Sequence, residues 1–186
     1  MKLTDSDIEK IIKHEDNFII DGVEYYVKRA IDEGLELISS EIATNLGINS
    51  AKYYFVKTKD INYELSLSLR NFGVFKTGRE LNFNSNSLYD IWANLEKNYP
   101  KECPKLVHDL VKVFIYDIFM VNGDRNLGNI GVLEGGEGPK LYILDNELIF
   151  SDYEVDLIAK FYYDEHLKSY FYHNIKDIHH LILKET

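Results

Sequence analysis

The sequence predicts an α+β protein, with a small β-rich N-terminal part followed by a mainly helical remainder. Three observations predict it. The tight-turn dipeptide Asp21-Gly22 separates two apolar runs, Phe18-Ile19-Ile20 and Val23 to Val27, as in a β-hairpin. Tyr- and Phe-rich alternating segments recur at 51–57 and 62–69. Beyond residue 87 apolar residues instead recur every three or four positions, the period of an amphipathic helix.

Taken in order, Leu3-Thr4-Asp5-Ser6-Asp7-Ile8 reads as a helix start. Thr4 is placed to cap the Asp7 amide and Leu3 to pack on Ile8, with Ile8, Ile11 and Ile12 as the apolar face. In the second hairpin strand Val23, Tyr25 and Val27 point one way, and Glu24, Tyr26 and Lys28 the other. The next helix carries Leu35, Ile38, Ile42 and Leu46 on one stripe, with Gly47 as its left-handed stop and Glu41 beside the stripe. Residues 70–86, with Gly73, Gly78 and four asparagines, read as an irregular connector, and the boundary between the two parts falls there, giving 1–70 and 71–186. Ser87 opens a helix with Leu88, Ile91, Trp92 and Leu95. Pro100 and Pro104 precede a second helix that buries Leu106, Leu110, Val113 and Phe114 and ends near Val121-Asn122-Gly123. Strands at 130–133 and 141–144 flank a plain turn at 134–139, and short helices are expected from Asp152 onward.

Composition removes several function classes. With 31 acidic against 21 basic side chains the net charge is −10, so the chain repels the nucleic-acid backbone and broad DNA or RNA binding is not expected. Apolar residues make up 45%, enough for a sizeable core. The single cysteine, Cys103, leaves no internal disulfide framework and no cysteine-based zinc site, and no nearby cation activates it as a nucleophile. MKLTDSDIEK lacks the apolar run of a signal peptide. The longest apolar stretch, Leu110 to Val121, is interrupted by Lys112 and Asp117 and is too short to span a bilayer. A cytoplasmic protein without membrane attachment is expected. His166, His173, His179 and His180 fit no structural zinc spacing and read as solvated helix faces.

The segment that carries chemistry is Asn122-Gly123-Asp124-Arg125-Asn126-Leu127-Gly128-Asn129-Ile130-Gly131. Phosphoryl transfer needs a carboxylate near the attacking hydroxyl and oxygen ligands for magnesium. Asp124 and Asn129, separated by four residues, let one loop supply both, and Asp145 at the end of a following strand supplies a second metal ligand. The spacing alone is weak, because Asn122-Gly123-Asp124 also reads as a helix-ending turn. The context of helix, loop, hairpin and strand end gives it weight.

This run resembles the catalytic loop of HipA-type kinases and their phosphoinositide-kinase-like relatives, which read Asn-x-Asp-Arg-His-x-x-Asn followed later by a magnesium-chelating Asp. Ser40 to Ile48 with Ala51-Lys52-Tyr53-Tyr54 is similar to their N-lobe helix and following strand. Leu65 to Phe72, then Thr77-Gly78-Arg79-Glu80-Leu81, resembles their hinge and post-hinge segment. The likeness spans about residues 17–150, and the catalytic loop is its most specific part.

The resemblance implies a minimal two-lobed protein-kinase-like fold, with residues 1–70 as a small β-rich N-lobe over a helical C-lobe at 71–186. It implies an ATP- and magnesium-dependent kinase that transfers the γ-phosphoryl group to a Ser or Thr hydroxyl of a protein substrate. Asp124 and Asn129 would form the catalytic loop, Asp124 taking or orienting the hydroxyl proton. Asn129 and Asp145 would hold Mg2+ on the ATP phosphates, Lys28 would contact the α- and β-phosphates, and Glu41 would fix Lys28. Read from the residues alone, Lys28 is equally a solvated strand-end lysine, and Glu41 a surface acid.

Two features depart from the family pattern. Asn126 stands where the family has His, and an Asn there can still hydrogen-bond backbone groups. No glycine-rich loop precedes Lys28, since Asp21-Gly22 is a tight turn beside an acid. Two other readings therefore stay open. One is a small-molecule phosphotransferase, although antibiotic and choline kinases place His where this chain has Asn122. The other is a catalytically silent kinase-fold binding module. Arg70, Lys76 and Arg79 form a local cationic cluster, either solvated or in contact with phosphate or an acidic substrate segment.

Overall fold

The computed structural model describes residues 6–7, 10, 17–30, 34–57, 61–83, 88–120, 122 and 125–146. Of the expected N-terminal helix, only Ser6, Asp7 and Lys10 are described, all helical. The expected C-terminal helices, the four histidines there and Asp124 lie outside the described residues.

The first sheet is antiparallel with order β1-β2-β4-β3, from β1 (Asn17–Ile20), β2 (Val23–Arg29), β3 (Tyr53–Lys57) and β4 (Asn62–Leu67). Its hairpin turns at Asp21 and Gly22, both at positive φ (50° and 80°), the backbone that Asp-Gly accepts most readily. Strand alternation then sorts the side chains. Phe18, Tyr25, Val27, Val56, Tyr63 and Leu65 form one buried apolar cluster. The opposite face carries Glu24, Tyr26 and Lys28, as the sequence predicts.

Helix α1 (Leu35–Asn45) follows, and Gly47 stops it at φ 73°. Its expected apolar stripe is only half inward: Leu35 and Ile42 pack against the larger core, whereas Ile38 is 52% and Leu46 56% exposed. The buried residues are Glu36, Ser39, Ser40 and Ala43. The two serines tolerate burial because their polar atoms are matched, and Glu36 because its carboxylate meets Lys28. The Ser40 hydroxyl donates to the Ala51 carbonyl at 2.7 Å, and the Tyr116 hydroxyl donates to the Ser39 carbonyl at 2.9 Å. Small side chains on that face also let the helix approach its neighbours closely.

The connector is more ordered than expected. A 3-10 turn (Leu69–Asn71) leads to β5 (Val74–Thr77), which pairs with β6 (Ile130–Gly135), and β6 pairs with β7 (Gly138–Ile143). The β6–β7 turn shrinks to Gly136-Glu137, because pairing continues to Gly135 opposite Gly138. Helices α2 (Leu88–Asn98) and α3 (Cys103–Phe119) pack on this second sheet. Leu95, Leu106, Leu110 and Met120 meet Val132, Leu141 and Ile143 in the larger core. Backbone bonds join the sheets: the Ile143 amide donates to the Asn49 carbonyl at 3.0 Å and the Ala51 amide to the Ile143 carbonyl at 3.2 Å. The end of β7 is thereby held beside the entry to β3. Among the described residues no helix is long and apolar enough to cross a membrane.

Gly131 is required where β5 meets β6. A Cβ there would lie 2.4 Å from the Lys76 carbonyl oxygen and 2.6 Å from Phe75 Cζ, and the paired backbone cannot move away without breaking its ladder. Gly131→Ala is expected to destabilise the protein by about 1–3 kcal/mol. That corresponds to a fall in melting temperature on the order of 3–10 °C in a calorimetric scan. At Gly136 an added Cβ meets nothing within 4 Å, so Gly136→Ala should melt like the parent.

Candidate functional site

A cleft of about 330 Å³ opens between the polar face of the first sheet and the end of the β6–β7 hairpin. Cross-strand register places Lys28 opposite Glu64, Tyr26 opposite Ser66, and Ser66 opposite Tyr53. All five side chains share the face that lines the cleft. Phe75, Thr77, Glu80, Asn129, Leu144 and Asp145 form much of the rest of the lining.

Lys28 is the meeting point. Its Nζ lies 2.5 Å from Glu36 Oε2 and 2.8 Å from Asp145 Oδ1, so β2, α1 and the end of β7 converge on one ammonium group. Glu36, not Glu41, is the helix acid paired with this lysine. Glu36 sits in the first turn of α1, just after Gly34 at φ 84°, where the helix N-terminus favours a carboxylate. Its side chain is only 1% exposed. Glu41, five residues on, is rotated about 140° around the helix and is exposed.

Asn129 and Asp145 come together through hairpin pairing. The Leu144 amide donates to the Asn129 carbonyl at 2.8 Å, extending the β6–β7 ladder by one residue at its open end. Asp145 then leaves the strand at φ 51°, a left-handed backbone that Asp accepts better than most residues. Its amide donates to the Tyr53 hydroxyl at 2.9 Å, and the Asn146 amide donates to Glu36 Oε1 at 3.3 Å. The Asp145 side chain remains 41% exposed towards the cleft. Burial first, then the adjacent Glu36 carboxylate, push the Tyr53 hydroxyl well above the usual phenol range. Tyr53 therefore stays protonated.

Sequence reasoning missed Glu36 and Tyr53. The available signal for Glu36 was an acid in the first turn of a glycine-led helix start. Tyr53 sits in an alternating aromatic strand and looked like ordinary core.

The connector between β4 and β5 is fastened to β2. The Ser68 hydroxyl donates to Glu24 Oε2 at 2.7 Å, the Glu24 amide donates to Asn71 Oδ1 at 3.0 Å, and Asn71 Nδ2 donates to the Glu24 carbonyl at 2.8 Å. Leu67, Ser68 and Leu69 thus form a fixed wall of the cleft. In the loop after α3, Asn126 Oδ1 accepts the Gly128 amide at 2.8 Å and Arg79 Nη2 at 3.2 Å, the backbone contact expected of an Asn at that position. The cationic cluster is divided: Lys76 pairs with Glu134 at 2.8 Å, Arg79 joins Asn126, and Arg70 lies on the cleft wall. Cys103 is buried, and burial raises its thiol pKa.

Among the cleft-lining residues, Glu36, Glu64, Glu80 and Asp145 outnumber Lys28 and Arg70. A cleft of that sign repels a polyphosphate unless a cation intervenes. Asn129 and Asp145 offer the hard oxygen donors that magnesium takes.

A crystal structure of a Helicobacter pylori proinflammatory kinase, CtkA, has the same fold, with a TM-score of 0.59 at 16% sequence identity. The match covers 88% of this chain and 62% of that one, so the chain spans less than two thirds of CtkA's length. No curated protein matches the sequence. The HipA-like kinase family model matches residues 14–180, nearly the whole chain. The chain belongs to the HipA-like kinase family.

Proposed function

We propose that this protein is an ATP- and magnesium-dependent kinase that transfers the γ-phosphoryl group to a Ser or Thr hydroxyl of a protein substrate. The observation that carries the reading is the convergence of Glu36 and Asp145 on Lys28 inside a cleft that also contains Asn129. On this reading residues 1–70 act as an N-lobe and 71–186 as a C-lobe, with the segment around Ser68 as the hinge. Lys28, held by Glu36, binds the α- and β-phosphates. Asn129 and Asp145 would hold Mg2+, which supplies charge neutralisation between the polyphosphate and the acidic cleft. Asp124 takes the proton of the attacking hydroxyl as the new O–P bond forms and the bond from γ-phosphorus to the ADP oxygen breaks. The protein substrate rests on family membership. The two-residue Asp21-Gly22 turn, with an acid where phosphates would be cradled, favours a second reading as a silent nucleotide-binding module.

Incubation with γ-labelled ATP and Mg2+, with and without cell extract, separates the readings. Label on protein is expected. Label on small molecules would make the enzyme a small-molecule phosphotransferase, and bound ATP without transfer would favour the silent module. Asp124→Asn is expected to lower transfer by about 10³-fold or more, with nucleotide affinity nearly unchanged, because its role is on the acceptor side. Near-parental turnover in Asp124→Asn would remove it as the base.

A further inference from the structure

Arg125 uses all five of its N–H donors, and each reaches an acceptor. Nε donates to Asp117 Oδ2 and Nη2 to Asp117 Oδ1, both at 3.0 Å. Nη1 donates to the carbonyls of Asn129 at 2.9 Å and Leu144 at 2.8 Å, and Nη2 also reaches Asn146 Oδ1. The side chains of Arg125 and Asp117 are 13% and 12% exposed, so water competes little for these bonds. Asp117 lies in the last turn of α3 and is held in turn by Asn122 Nδ2 at 3.1 Å.

The acceptors are not scattered. One carbonyl belongs to Asn129 itself, and Leu144 and Asn146 flank Asp145. A planar guanidinium fixes the separation of the groups it binds, and a two-point contact with Asp117 stops it rotating. We propose that Arg125, locked by Asp117, is a positioning residue that sets the spacing of Asn129 and Asp145 for a nucleotide-bound divalent cation. The inference rests on the kinase reading above. Lysine cannot substitute, because its three donors radiate from one atom and cannot span the carboxylate and both carbonyls.

The test uses the full chain with Mn2+ as a paramagnetic probe and a non-hydrolysable ATP analogue. Mn2+ affinity is read by electron paramagnetic resonance in the presence of the analogue, and analogue affinity is read separately in EDTA. Arg125→Lys and Asp117→Asn should each weaken Mn2+ binding by about 10–100-fold, as loss of a supporting contact behind a metal ligand does. Affinity for the metal-free analogue, set by Lys28 and the hinge wall, should stay within about twofold. If Arg125→Lys fails to fold, Asp117→Asn decides alone. Unchanged Mn2+ affinity in a folded variant, or parallel loss of both affinities, would overturn the positioning role and leave the kinase reading intact. A parent protein that binds no Mn2+ with the analogue would overturn the kinase reading and this inference together.

Discussion

Lys28→Met and Glu36→Gln are each expected to lower phosphoryl transfer on the order of 10²-fold or more, whereas Glu41→Gln should stay within about twofold of the parent. The asymmetry follows from burial. Glu36 is 1% exposed and 2.5 Å from the ammonium, so Lys28→Met strands its buried carboxylate, and Glu36→Gln frees the ammonium of Lys28, which is itself 36% exposed. Truncating one member of a buried, hydrogen-bonded charge pair costs about 2–5 kcal/mol. Glu41 faces solvent and has no part in this contact. Glu36 also accepts the Asn146 amide, so its loss loosens the backbone beside Asp145 as well. The double variant Lys28→Met/Glu36→Gln should be no worse than the worse single, which measures coupling directly. Full additivity in initial-rate assays, or a Glu41→Gln defect as large as that of Glu36→Gln, would break the assignment.

Asp145→Asn is expected to lose most of the magnesium-dependent stabilisation by ATP while melting close to the parent without ligand. Ligand that binds only the native state stabilises it by about 2.7 kcal/mol at one hundred times Kd. For a chain of this length that raises the melting temperature on the order of 5–10 °C. On the proposed reading Asp145 faces the polyphosphate from the cleft surface, so ATP in EDTA would meet repulsion that magnesium, held by Asp145 and Asn129, would offset. Asn is the informative replacement, because it accepts the left-handed φ of 51° as readily as Asp does and adds no strain. The lost Lys28–Asp145 pair is about two-fifths exposed on both sides, and pairs of that kind contribute about 0–1 kcal/mol. Differential scanning fluorimetry with ATP plus Mg2+, against ATP plus EDTA, reads the effect. Equal shifts in both solutions for the parent would take Asp145 out of the metal site.

Local features of this protein were readable from residue order because their causes are local. Asp21-Gly22 specifies a tight turn whatever surrounds it, and alternation along 23–29 dictates that Lys28 and Tyr26 share a face. The three- and four-residue periods place Leu95, Leu106 and Leu110 in a helical core. The spacing from Asp124 to Asn129, with Asp145 beyond a hairpin, marked the loop and strand end that bring Asn129 and Asp145 to the cleft. Features that depend on what lies across a gap could not be read this way. The inward face of α1 is polar because Lys28, Tyr116 and the Ala51 carbonyl satisfy Glu36, Ser39 and Ser40. Apolar periodicity therefore found only the edge of the inward face, Leu35 and Ile42, and gave no sign of the polar residues between them. The segment at 74–77 became a strand because β6 offered it a ladder, which overrode the turn-forming glycine and asparagine composition around it. Tyr53 and Arg125 act through hydrogen bonds to residues 92 and up to 21 positions away in the chain. Pairings over such distances are set by the packing of two sheets against each other, and nothing in the local sequence encodes the partner.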